Sequence, residues 1–221
     1  MSHESVSLPM ADMSVGQVYR LMIESVVPRP IAFVSTYSPT LGAHNLAPFS
    51  YFNAISSRPP VLMFSVTRNP DGSKKDTLKN IEETGEFVVN VACTAIAEQL
   101  NDCAAAYAHG VDEMEKVGLT PADSIAIAPR RVAECPVQIE CKVHQLVEVG
   151  DGGVGSSVAV FGEMLHYHGR KDLLQKNERG FYKMNFTGDR ADNMPLARMG
   201  GITYAGVKKE NIFPLKPAKA E

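Results

Sequence analysis

VVPRPIAFVSTYSPTLGAHNLAPFSYFN, from Val26 to Asn53, is the stretch whose reading decides the fold. Pro28 and Pro30 fix an extended entry, and Ile31, Phe33, Val34 and Thr36 continue it as a strand of apolar and β-branched residues. Tyr37 to Ala43 carries Ser-Pro and Leu-Gly, which predict a turn. At Asn45-Leu46-Ala47-Pro48 the chain re-enters as a second strand, with Phe49 and Tyr51 expected on one side and Ser50 and Phe52 on the other. Small hydroxyl and amide groups (Ser35, Thr36, Asn45, Ser50, Asn53) are thereby interleaved with apolar ones. That mixture offers walls for a flat heteroaromatic ligand and fixed donors and acceptors for its edge. A half-buried hairpin with serines in its turn has the same composition, so both readings stay open at this point.

Downstream, Arg58-Pro59-Pro60 stiffens the entry to Val61–Thr67, where six of seven residues are apolar or β-branched, as in an interior strand. Asn69-Pro70 and Asp71-Gly72 then predict a turn, followed by Lys74, Lys75, Asp76 and Thr77. Asp76 or Thr77 is placed to cap a helix over Leu78–Thr84, which Gly85 closes. A strand, a basic turn and a helix start in succession can gather N–H groups, the Thr77 hydroxyl and the charges of Lys74 and Lys75 around a phosphate. A solvated basic loop beside an ordinary cap has the same sequence.

The remaining pattern is mostly short strands. Glu86 to Ala92 reads as a strand, and Ala95 to Tyr107 as a helix with Ile96, Leu100 and Cys103 facing the core. His109 to Asp123 is polar and irregular. Val137 to Val149 alternates as a long strand with Val137, Ile139, Cys141 and Val143 on one face. Gly150 to Gly155 matches the spacing GxGxxG, with Asp172 at the distance of a ribose-binding acid. Immediately after it, Val158-Ala159-Val160-Phe161 has strand composition where a dinucleotide fingerprint needs a helix start, so the glycines predict a hairpin turn. The next strand runs to about His168, where His166 and His168 share a face. A short helix is expected near Leu173–Asn177, and another over Val15–Glu24, weakened by Gly16. Arg198 to Tyr204 is a glycine-bearing segment. The fold class is mainly β (α+β): an antiparallel Greek-key split β-barrel with peripheral helices. Residues 1–24 form a lead-in, 25–206 the barrel domain and 207–221 a loose tail.

Composition narrows the function classes. The 221 residues are 44% hydrophobic and 21% charged, ordinary for a globular domain with a sizeable core. A net charge of −3 gives no basic footprint for nucleic acid. No apolar run approaches the roughly 20 residues of a bilayer span, and the N-terminus lacks the basic start and apolar core of a signal peptide. A cytoplasmic location is expected. Cys93, Cys103, Cys135 and Cys141 form no CxxC pair and read as reduced, partly buried thiols, with Cys135 and Cys141 on one face of a strand. His166 and His168 read as a surface pair without an evident third metal ligand.

Assembled in order, these segments resemble the flavin reductase-like family of FMN-binding split barrels. The resemblance is carried by P-R-P-I-A-F-V-S-T from Pro28, G-A-H-N-L-A-P-F-S-Y-F-N from Gly42, P-P-V-L-M-F-S-V from Pro59 and K-D-T-L-K-N-I-E-E-T-G-E-F-V-V-N from Lys75. It continues in V-A-V-F-G-E-M-L-H-Y-H and P-L-A-R-M-G-G-I-T-Y, and covers most of positions 25–206. It implies a homodimer with one FMN per barrel, reduced by NADH or NADPH. It further implies that Ser35, Thr36, Asn45, Leu46, Ala47 and Ser50 cradle the isoalloxazine and ribityl chain. Lys75, Asp76, Thr77 and Asn80 would take the phosphate side, and the Arg198–Tyr204 segment is a candidate to reach a neighbouring subunit's flavin. Shorter members carry G-D-H before the V-A-V-F-G strand; this chain has Gly155-Ser156-Ser157 there. The implied activity is hydride and electron transfer from NAD(P)H through FMN to a small acceptor or partner, with a non-catalytic FMN-binding electron carrier or flavin-storage protein as the alternative. No catalytic residue is assigned.

Overall fold

A computed structural model describes residues 4–186 and 194–212; the expected loose end over 213–221 lies outside the described residues. The chain enters through helix α1 (Val15–Ser25), capped at Ser14 by a reciprocal pairing with Gln17 that outweighs the glycine at position 16. Strand β1 (Arg29–Pro30) leads into β2 (Ala32–Ser38), β3 (Ala43–Phe49), β4 (Phe52–Ser57) and β5 (Pro60–Thr67). Helix α2 (Asp76–Thr84) and strand β6 (Glu86–Val91) come next, joined by Gly85 at φ 71°. Then come α3 (Ala97–Asp102), α4 (Glu113–Lys116), the two-residue strands β7 (Pro121–Ala122) and β8 (Arg131–Val132), and the long pair β9 (Val137–Val149) and β10 (Ser157–Gly169). Short strands β11 (Leu174–Lys176), β12 (Tyr182–Met184), β13 (Leu196–Arg198) and β14 (Tyr204–Gly206) complete the described chain.

Seven strands form one antiparallel sheet in the order β3-β2-β6-β9-β10-β5-β4. Its two edges, β3 and β4, are consecutive in sequence and separated only by Ser50 and Tyr51, so the sheet curls round until its edges meet at that corner. This is the expected split barrel. The corner also interrupts the alternation expected through Phe49–Phe52: the Phe49 and Phe52 side chains both pack against the barrel core.

Two cores lie on either side of the barrel wall. Inside are Val34, Phe64, Phe87, Val89, Ile139, Cys141 and Val160; outside, beneath α3 and α4, are Phe33, Leu46, Ile96, Leu100, Met114, Val132 and Cys135. β2 supplies both, which is why it reads as an almost unbroken apolar run. Leu78 and Ile81 carry α2 into the inner core, so this helix closes one end of the barrel and its start lies beside β3. Gly162 faces the Phe87 ring so closely that an added Cβ would come within 2.2 Å of its Cζ.

Several expectations are corrected. The helix expected near Leu173–Asn177 is instead β11, paired with β12 around a turn in which the Asn177 carboxamide accepts the N–H groups of Arg179 and Phe181. The helix expected over Ala95–Tyr107 ends at Asp102, and the irregular stretch after it contains α4. Cys135 precedes β9 and lies in the outer core while Cys141 lies in the inner one, so they do not share a face; all four cysteines are buried and in no disulfide among the described residues. The glycine-rich segment at 150–155 is the hairpin turn between β9 and β10, as expected. Arg198–Tyr204 folds onto its own chain, through β13 against β1 and β14.

Candidate functional site

β3 is a sheet edge, and the two elements that flank it, the start of α2 and the chain between α3 and α4, enclose a cavity of about 580 Å³. Asn45, Ala47, Pro48 and Phe49 of β3 form one wall; Asn69 to Asp71 and Lys75 to Thr77 form another; Cys103 to Tyr107 and Glu113 form the third. Five of the expected site residues are involved: Asn45, Ala47, Lys75, Asp76 and Thr77.

The start of α2 is built differently from the expectation in one respect. Lys75 occupies the cap position, the helix begins at Asp76, and no side chain caps it. The carbonyl of Lys75 accepts the N–H groups of Leu78 and Lys79 at 3.0 and 3.1 Å. The N–H groups of Asp76 and Thr77 have no acceptor among the described residues, leaving two donors of the first turn at the cavity. The Thr77 hydroxyl, on a residue only 1% exposed, accepts the Asn45 carboxamide at 2.9 Å, which keeps its own proton available to a ligand.

The charges sort themselves by pairing. Lys74 is held by Glu82 at 2.7 Å, and Lys79 by Asp76 at 2.9 Å. Asp76 also meets His109 Nδ1 at 2.8 Å. Lys75 has no carboxylate partner among the described residues; its ammonium is steadied by the Asn69 carboxamide at 3.3 Å. Lys74, expected beside Lys75, therefore belongs to a surface ion pair, and Lys75 is the cation at the cavity that forms no ion pair among the described residues, although Asp71, Asp76 and Glu113 also line it. A larger opening of about 700 Å³ lies on the other side of α4, where Asp112, Glu115 and Asp123 stand with Arg130. The α2 cavity carries the same count, Asp71, Asp76 and Glu113 with Lys75, and is set apart by the helix-start N–H groups and the Thr77 hydroxyl, which suit a phosphate.

The other expected residues are placed elsewhere. Ser35 and Thr36 are fully buried: the Ser35 hydroxyl donates to the Arg130 carbonyl, and Thr36 accepts the Asn80 carboxamide at 3.1 Å. Asn80 thus holds α2 against β2 and borders only a small cleft with Asn45 and Asp76. The Leu46 side chain is fully buried in the outer core. Ser50 accepts the Arg29 Nε–H at 3.3 Å and faces a separate, smaller cavity.

Sequence reasoning missed Glu113. It is 7% exposed, and one carboxylate oxygen accepts the Leu46 N–H at 2.7 Å, closing an edge-strand donor that no strand pairs. Burial, with Asp112 and Asp76 nearby, pushes its carboxyl up to about 7 despite that hydrogen bond. Its partner lies 67 residues away in sequence, so only an acidic residue beside buried Met114 on an otherwise polar stretch hinted at it. Asn90 was also missed: fully buried, it donates to the Phe33 carbonyl at 2.9 Å and accepts the Val132 N–H at 2.8 Å, tying β2 and β8 to β6. His168 is engaged too. Its Nε2 lies 2.6 Å from Glu140, a fully buried carboxylate that also accepts the Ile125 and Ala126 N–H groups at 2.8 Å each. Burial pushes the Glu140 carboxyl up, but those three partners outweigh it and hold it below its ordinary range. His168 is accordingly a strut behind the loop at 123–130, with His166 stacked on it at 6.0 Å.

Comparison with known proteins agrees with this architecture. A family model described as the flavin reductase like domain matches residues 24–188. An uncharacterized protein of Aquifex aeolicus is 38% identical over 187 residues, covering 85% of this chain and 88% of that protein. Among solved structures, nitrilotriacetate monooxygenase component B from Bacillus cereus superposes with a TM-score of 0.83 at 29% identity, over 93% of this chain and 97% of that one. The 2-nitrobenzoate 2-nitroreductase of Pseudomonas fluorescens does so at 0.81 and 29%, over 96% of each chain. With three-quarters of the sequence inside the family match, in the split-barrel fold the motifs implied, the chain belongs to the flavin reductase like domain family.

Proposed function

We propose that this chain binds one FMN in the cavity between β3 and the start of α2, and acts as an oxidoreductase taking hydride from NADH or NADPH and passing electrons to a small acceptor or a partner protein. The observation that carries the reading is Lys75, in no ion pair among the described residues, beside two N–H groups without an acceptor among them and the Thr77 hydroxyl, at a cavity walled by Ala47, Pro48 and Phe49 whose carboxylates Asp71, Asp76 and Glu113 are engaged by Ser73, Lys79 and the Leu46 N–H. A phosphate monoester carries close to two negative charges, and its desolvation is tolerated only where donors and a cation replace its water. Lys75, Thr77 and the helix start supply these, so the residues present fit the group. Ala47, Pro48 and Phe49 give the apolar surface for a flat ring, and Asn45, steadied by Thr77, gives a fixed amide at its edge. Bound FMN would supply the electron-transfer chemistry. The chain's own residues bind and orient it. Ser35, Thr36, Leu46 and Asn80 act behind the wall, holding β3 and α2 in register, and Ser50 acts from the neighbouring cavity. We further propose a cytoplasmic homodimer.

The second reading, an FMN carrier that accepts no hydride, is favoured by one feature. Where shorter members have G-D-H, this chain has Gly155-Ser156-Ser157, so Ser157 stands in the histidine's place. Anaerobic addition of NADH and NADPH to the FMN-loaded protein separates the two. Bleaching of the flavin band within seconds supports the reductase; an unchanged band with either nucleotide leaves the carrier.

A further inference from the structure

β1 pairs with β13 so that Arg29 stands directly opposite Arg198. Cross-strand partners share a face with Cβ atoms about 5 Å apart, and like charges in that position repel. Both arginines line a cavity of about 180 Å³, together with Ser50, Tyr19 and Tyr204, and no Asp or Glu among the described residues lines it. Among the described residues neither arginine is paired with a carboxylate.

The two guanidinium groups are engaged to different extents. Arg29 is 4% exposed. Its Nη1 donates to the carbonyls of Ile23 and Val26 at 2.5 and 2.7 Å, its Nη2 to that of Met199 at 3.0 Å, and its Nε to Ser50 Oγ at 3.3 Å. Those carbonyls satisfy its hydrogen bonds without neutralising its charge, and a single N–H remains. Arg198 spends one N–H on the Gly201 carbonyl at 2.8 Å and stacks over the Tyr204 ring at 4.3 Å. The rest of its fork is unspent among the described residues. A buried fixed cation, an adjacent open fork and a serine hydroxyl free to donate, with no carboxylate in ion-pair contact with either arginine among the described residues, make an oxyanion site.

The cavity shares Pro48 and Ala104 with the one assigned to FMN. At ~30 Å³ per water-sized group it holds about six such groups, enough for a carboxylate or phosphate and the atoms that join it to a larger body. Resting on the proposed FMN site, we propose that the Arg29–Arg198 pair binds the carboxylate or phosphate of the second substrate, whose remainder extends past Pro48 toward the flavin. Arg198 makes the contact, and Arg29 holds a charge behind it.

The test is calorimetric titration of benzoate and of inorganic phosphate, at constant ionic strength, into wild-type protein and Arg198→Gln, each with and without saturating FMN. Wild type should bind at least one anion at low millimolar concentration, and which one tells carboxylate from phosphate. Arg198→Gln should weaken that binding by about tenfold or more, as expected for losing a charge-assisted fork, while FMN affinity is unchanged. Arg198→Lys, with the charge but not the fork, should recover only part. Absence of binding by both anions to wild type, or equal binding by Arg198→Gln, overturns the proposal. Failure of FMN to bind would overturn the flavin reading and, with it, the substrate role, whereas the anion titration without FMN still reads the arginine site itself.

Discussion

Lys75→Ala is the substitution that isolates the phosphate contact. The Lys75 ammonium has no carboxylate to lose and touches only the Asn69 carboxamide, so its removal should leave the fold intact. Two unit charges 4 Å apart interact by about 1 kcal/mol in bulk water and about 4 kcal/mol at an effective dielectric constant near 20. Lys75 is half-buried at the rim of the cavity, between those limits. A loss of about 1.5–2 kcal/mol, or roughly 10- to 30-fold in the FMN dissociation constant, is expected. Riboflavin, which has no phosphate, should bind the variant and the wild type alike. The FMN penalty should shrink in about 1 M salt, where the screening length falls to about 3 Å. Parallel titrations of both ligands by flavin fluorescence measure all of this. Equal losses for FMN and riboflavin would refute the reasoning and make the Lys74–Thr77 turn a structural loop. Thr77→Ala is a poorer probe, because it also strips the buried Asn45 amide of its acceptor, at about 1–3 kcal/mol of stability.

Glu113→Gln should change how stability depends on pH. The Glu113 carboxyl is raised to about 7 in the folded chain from an ordinary 4.5, so between those values the native state binds more protons than the unfolded one and stability falls as pH rises. At about 1.4 kcal/mol per pH unit the difference amounts to about 3 kcal/mol; urea unfolding at about pH 4.5 and about pH 8 should show that loss in wild type and its absence in Glu113→Gln, which keeps an acceptor for Leu46. Gly162→Ala drives a Cβ into the Phe87 ring and should cost about 1–3 kcal/mol, lowering Tm by roughly 2–10 °C in a thermal melt; an unchanged Tm would mean that the inner core yields there. Sedimentation of the flavin-saturated protein at micromolar concentration should give the mass of two chains, and a mass of one would end the dimer proposal.

How much of the structure is legible in the sequence depends on how local the physics is. β9 spans Val137–Val149 in sequence and structure alike, because a long alternating strand between two burial environments writes its period directly into the chain. α2 and its closing Gly85 are equally plain, since the apolar pair and left-handed terminus lie close together in sequence, although the side-chain cap expected of Asp76 or Thr77 does not form. The serine and threonine of β2 mislead for the opposite reason. Hydroxyls among apolar residues look like ligand contacts, but Ser35 and Thr36 satisfy Arg130 and Asn80, which are remote in sequence. Glu113 is invisible because its role exists only once an edge strand leaves the Leu46 N–H unpaired. Lys75 and Lys74 are indistinguishable until the fold brings Glu82 to the second. The β11 segment carries helical composition, and the turn at Asn177 decides it as a strand.

Binding of FMN itself tests the central claim most directly. Titrating FMN into the folded, flavin-free protein and following its fluorescence should show saturation at one FMN per chain, with riboflavin bound more weakly by the phosphate's share. Folded protein that leaves FMN fluorescence and heat of mixing unchanged up to high micromolar concentration would contradict the account.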